Sequence, residues 1–150
     1  MDLFTTSTAA RRALLLCLFA TLLVVGQTST TPSITATPAV LNFAYQIGAT
    51  TMPAAQSVAF KSTTAGLAIT LSVAGDPPSN GNWVTTSIRA GVAASLPASV
   101  TVTVTPTGLA AGNYTAVITA SANTQSGTIT QSVSVTLSIS PPASTLHVSP

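Results

Sequence analysis

From Ile34 to Ile139 the apolar residues recur at every second position in short runs, and turn residues separate the runs. A period of two places alternate side chains on opposite faces of an extended chain, so each run reads as a strand with one face buried. Ile34 and Ala36 lead into Pro38, which stops a ladder and is tolerated at a sheet edge. Leu41, Phe43 and Tyr45 share a face, and the chain turns through Gln46, Ile47 and Gly48 to Pro53; Val58 and Phe60 mark the next run. Leu67, Ile69, Leu71 and Val73 alternate cleanly with Ala68, Thr70 and Ser72, which predicts a central strand.

The segment Gly-Asp-Pro-Pro-Ser-Asn-Gly-Asn at 75–82 reads as a loop, because its prolines and glycines fix turn geometry and remove ladder donors. Trp83 follows it, Val84 to Ile88 reads as a short strand, and a second loop extends through Pro97. Val100, Val102 and Val104 alternate with threonines and stop at Pro106. After a turn of small residues, Tyr114, Ala116, Ile118 and Ala120 share a face. A tight turn at Gln125, Ser126 and Gly127 returns the chain into Val133, Val135, Leu137 and Ile139.

About seven or eight strands with no helical periodicity predict an all-β, two-sheet antiparallel sandwich with Greek-key connections, of immunoglobulin-like type. A β-helix is the rival architecture, but no fixed short repeat is visible. The run at 108–122, Gly-Leu-Ala-Ala-Gly-Asn-Tyr followed by an alternating strand, has the form of a tyrosine corner. In that motif the ring is buried near the start of a late strand and its hydroxyl ties down the incoming backbone. Tyr114, Gly112 and Leu109 are therefore assigned structural roles.

The N-terminus has a different pattern. Arg11 and Arg12 precede an unbroken apolar run at 13–25, shorter than the ~20 residues that span a bilayer, and small residues follow it. Residues 1–26 read as a signal peptide cut after Gly26, with an uncleaved anchor as the alternative; residues 27–32 form a linker and 33–140 the folded domain. Secreted, periplasmic or cell-surface location follows, with no membrane span after cleavage. The only cysteine, Cys17, lies within the signal, so the mature domain has no disulfide. Residues 141–150 read as a linker and the start of a second repeat, since Thr145-Leu-His-Val-Ser-Pro150 echoes Ser33-Ile-Thr-Ala-Thr-Pro38.

Charge is scarce. Charged residues make up 4% of the chain against a typical value of about 25%, and beyond the signal they are Lys61, Asp76 and Arg89. Nucleic-acid binding requires clustered Lys and Arg and is excluded. A surface this poor in Lys and Glu lacks the usual brakes on edge-to-edge association, which places the module within a larger secreted protein or on a surface.

The short pieces Ile34-Thr-Ala-Thr-Pro38, Leu41-Asn-Phe43, Asn82-Trp83-Val84, Val100-Thr-Val-Thr-Val104, Gly108-Leu-Ala-Ala-Gly-Asn-Tyr114 with Ile118, and Val133-Ser-Val-Thr-Leu137 together resemble the BACON domain. This is an immunoglobulin-like bacterial module often found in tandem in secreted proteins. The resemblance spans roughly residues 33–140 and implies a sandwich fold and carbohydrate association, although members also act as spacers. Val84-Thr-Thr-Ser-Ile-Arg-Ala-Gly91 departs from it, standing where a Ser-Pro and Gly-Thr turn is expected.

Catalysis finds no residues to carry it. Paired-carboxylate hydrolysis needs two acids and the mature domain has only Asp76; a Ser-His-Asp arrangement would depend on His147, beyond the domain. Cysteine chemistry and cysteine-ligated zinc lack the thiol. Calcium on Asp76 and the amides of 76–82 would rest on one carboxylate where such sites recruit several. No cofactor is implied. The remaining candidate chemistry is sugar binding on Trp83, with Asn80 and Asn82 supplying hydrogen bonds, provided that the Trp83 ring is exposed; the alternative is a buried ring whose indole N–H finds a backbone partner. Asn113-Tyr114-Thr115 is formally a glycosylation sequon and is read as part of the turn. The expected function is a non-enzymatic spacer or interaction module, with neighbouring domains as partners and glycans or other surface proteins as further possibilities; weak carbohydrate binding is the alternative.

Overall fold

The computed structural model describes residues 31–75 and 82–144. The signal peptide, Cys17, most of the linker, Asp76, Asn80 and the echo at 145–150 with His147 lie outside the described residues.

Among the described residues nine strands form, all within two sheets: β1 Ile34–Thr37, β2 Val40–Gln46, β3 Gln56–Ser62, β4 Ala68–Gly75, β5 Val84–Thr86, β6 Ala93–Ser95, β7 Ala98–Val104, β8 Gly112–Thr124 and β9 Gly127–Ser140. The order is β1-β3-β7-β5 in the four-stranded sheet and β2-β9-β8-β4-β6 in the five-stranded one. The inner faces supply one core. Val58, Phe60, Val100 and Val102 from one sheet meet Leu41, Ile69, Leu71, Ile118, Val133, Val135 and Leu137 from the other, and no polar side chain is buried among the described residues.

The long β8–β9 hairpin follows directly from the alternation. Val133, Val135, Leu137 and Ile139 are buried on β9, where the register pairs them with Ile118, Ala116, Tyr114 and Gly112 of β8. Small and large side chains side by side let the opposing sheet approach without a void.

Three features differ from the pattern-based expectation. Nine strands are present where about seven or eight were predicted. The additional one, β6, is the three-residue Ala-Ala-Ser piece within the stretch 89–97 expected to be loop. It pairs with Ala68, Ile69 and Thr70 of β4, and a run of three small residues carries no alternation to reveal it. The sheets are not purely antiparallel either, because β2 runs parallel to β9. After β1 the chain crosses at Pro38 and Ala39 from one sheet to the other, and continuing in the same direction brings it beside the last strand in parallel. The Ala39 carbonyl accepts from Ser134 N–H at 3.0 Å at that crossing. The strand around Ile69 and Leu71 does have neighbours on both sides, but β6 covers only its first three residues.

Entry and exit lie at opposite ends. Pro32 lines a cleft with Asn123, Thr124, Gln125 and Ser126 at the tip of the β8–β9 hairpin, whereas Ser140 accepts from Ile47 N–H at 3.0 Å at the far end of β9. At ~3.3 Å per residue the length of β9 separates the two by about 45 Å.

Candidate functional site

The aromatic residues singled out by the sequence meet where the β7–β8 connection passes the start of β5. Val104 ends β7, and Pro106 is fully buried behind it. Leu109 N–H then donates to the Pro106 carbonyl at 3.1 Å, closing a four-residue turn whose third residue, Gly108, has φ of 84°. A positive φ at that position is what a type II turn demands, and glycine meets it without a Cβ penalty. The turn delivers the chain to Gly112, the first residue of β8, where a Cβ would stand 4.0 Å from Tyr114 Cε2 in ordinary contact.

Tyr114 is half-buried, and its hydroxyl donates to the Ala110 carbonyl at 3.0 Å, four residues upstream. That is the bond by which a tyrosine corner holds the incoming chain. Its ring meets the Trp83 indole edge-on, with centroids 6.3 Å apart and planes at 65°, the arrangement favoured by aromatic quadrupoles. Trp83 is itself fixed through its backbone, since its carbonyl accepts from Thr105 N–H at 2.8 Å. Leu109 packs partly buried against the same core.

This arrangement corrects the sugar-platform reading of Trp83. The ring is only 3% exposed and offers no open face on which a sugar could stack. Trp83 lies in the turn just before β5 and so outside that strand's alternation, which lets it and Val84 both be buried, and the Tyr114 ring meets the indole edge-on. The indole Nε1–H has no hydrogen-bond partner among the described residues, so the backbone partner expected for a buried ring is not seen. Asn82 is exposed and lines, with Trp83, Thr105, Thr107 and Leu109, an open cleft of about 230 Å³. Asn80 lies outside the described residues.

A second cleft of about 360 Å³ shares Asn82 and is walled by Val73, Val84, Thr85, Thr86, Arg89 and Ala90. Arg89 was not singled out by the sequence, because an isolated arginine in an irregular stretch has no pattern around it. Lys61 and Arg89 are the only charged side chains among the described residues, and no group of three or more His, Cys, Asp or Glu that could hold a metal occurs among them. No helix of the described residues is long and apolar enough to cross a membrane. Among the described residues the two clefts are lined by neutral side chains and one cation, Arg89.

No protein-family model matches the chain, and no curated protein matches it. The resemblance to BACON domains rests on the sequence motifs alone. Among solved structures the fold is similar to the CooA pilin subunit from enterotoxigenic Escherichia coli, with 14% identity and a TM-score of 0.51, over 75% of this chain and 100% of the pilin. It is also similar to the periplasmic chaperone SfaE, with 8% identity and a TM-score of 0.51, over 77% of this chain and 61% of the chaperone. At these identities the likeness is one of fold alone: an all-β chain in two sheets.

Proposed function

We propose that the chain is a non-enzymatic structural module of an exported bacterial protein, an immunoglobulin-like Greek-key sandwich of BACON type that spaces or joins neighbouring units at the cell surface. The observation that carries this reading is the separation of entry from exit. A module entered beside the hairpin tip and left about 45 Å away adds length to whatever it links, and units repeated in tandem would extend in a line. The echo of β1 at 145–150 supports such a repeat. Two proteins of similar fold are, by their descriptions, a pilin subunit and a periplasmic chaperone, which supports export.

The aromatic pair serves this function by holding the β7–β8 connection in place. Trp83 fills the core beside β5, Tyr114 closes over it, and the hydroxyl bond to Ala110 secures the chain that leads into the longest hairpin. A glycan array probed with the exported chain tests the reading. No saturable binding is expected; saturable binding to a defined sugar would overturn the spacer function in favour of recognition.

A further inference from the structure

The outer face of the five-stranded sheet carries two of the four exposed large hydrophobic side chains among the described residues, Val117 and Val40. β8 is its middle strand, and Val117 lies near the midpoint of β8 with its side chain outward, 40% exposed between the buried Ala116 and Ile118. The register sets Val117 beside Ser134 on β9 and Ala74 on β4, and Ser134 in turn beside Val40 on β2, itself 51% exposed. An apolar row thus crosses four of the five strands, interrupted by one serine. Next to it Thr119 and Ser132 are tied hydroxyl to hydroxyl at 3.3 Å.

None of the five strands contains a charged residue. The two charged side chains among the described residues are elsewhere: Lys61 on β3 of the other sheet, and Arg89 in the connection from β5 to β6. Exposed sheets usually carry Lys or Glu that discourage association, and this one has neither. Around Val117 its outward side chains are short, Ala, Ser and Thr, and the longer Asn42, Gln46, Asn113 and Asn123 stand off the centre, so two such faces could approach to the ~10 Å of packed sheets.

We infer that this face is the surface through which two copies of the chain associate, sheet against sheet, about a two-fold axis near Val117. A two-fold contact brings the same patch of both copies together, and an uncharged apolar row centred on the middle strand is self-complementary in that sense. Five strands at ~4.8 Å give a width of about 24 Å, and over a paired length of about 25 Å the face offers roughly 600 Å² per copy. The resulting total of about 1,200 Å² is at the lower end of specific interfaces, so the association is concentration-dependent rather than permanent. The inference rests on the structural-module reading and supplies that module with a partner.

Sedimentation equilibrium of the exported chain over a concentration series tests it. The wild type is expected to move from the mass of one chain to twice that mass as concentration rises. Val117→Lys, which sets two ammonium groups against each other at the axis, is expected to remain at the single-chain mass throughout. Thr103→Lys, an exposed position on β7 of the other sheet, is expected to associate as the wild type does. Should Val117→Lys lose its fold by circular dichroism, Val40→Lys in the same row decides, with a reduced association expected. A wild type that stays monomeric, a pair that the folded lysine variant of this row leaves intact, or one dissolved by Thr103→Lys would each overturn the inference. A monomeric wild type with no glycan binding would refute the pairing and leave the spacer reading standing, whereas saturable glycan binding refutes that reading by itself.

Discussion

Two stretches of chain meet at the aromatic pair, and each is fixed by different means. The turn at 106–114 is held by specific polar bonds, Leu109 N–H to Pro106 and the Tyr114 hydroxyl to Ala110, on a glycine conformation few other residues adopt. The segment beginning at Trp83 is held by volume, with a buried ring whose N–H has no partner among the described residues. A satisfied hydroxyl at a half-buried position contributes direction, and an unsatisfied indole in the core contributes apolar area at a polar cost. Neither resembles a binding site: one has its polar atom already engaged and the other has its ring covered.

Substitutions at the two residues can break or sharpen this contrast. The largest loss is expected for Trp83→Ala, about 3–5 kcal/mol from the void left in the core, read by urea unfolding. Tyr114→Ala should cost less, about 2–3 kcal/mol, because its ring is only half-buried and the lost edge contact with Trp83 is a modest term. Tyr114→Phe keeps the ring and loses the hydroxyl bond, for about 0.5–1.5 kcal/mol. Equal losses for the two Tyr114 changes would mean that the hydroxyl bond is the whole contribution of the residue and the packing none of it. Trp83→Phe is the smallest: removing an unpartnered N–H offsets the lost ring volume to within about 1 kcal/mol. A loss well above about 1 kcal/mol would contradict that offset.

The sequence revealed the long elements and concealed the short ones, for a physical reason. Val133 to Ile139 and Ile69 to Val73 repeat their alternation often enough for burial to be the only reading, and both are strands with the expected inner faces. The three residues of β6 are too few and too small to carry a period, and their pairing with β4 is a tertiary choice. The parallel contact of β2 with β9 was equally hidden, because alternation specifies which face is buried and not which neighbour a strand will find. At the aromatic site, the glycine-rich turn before Tyr114 signalled a corner, and the hydroxyl bond to Ala110 has the corresponding geometry. Trp83 was ambiguous, because a residue leaving a polar loop can point either way until the opposing side chain is known. Tyr114, distant in sequence, is that side chain.

Trp83 is the only tryptophan in the chain, so its fluorescence reports on this one position without any substitution. The account predicts blue-shifted emission from the native protein, weak quenching by acrylamide, and no change on adding sugars. Red-shifted emission that acrylamide quenches readily, or a spectral shift on titration with a sugar, would contradict a Trp83 that serves the core.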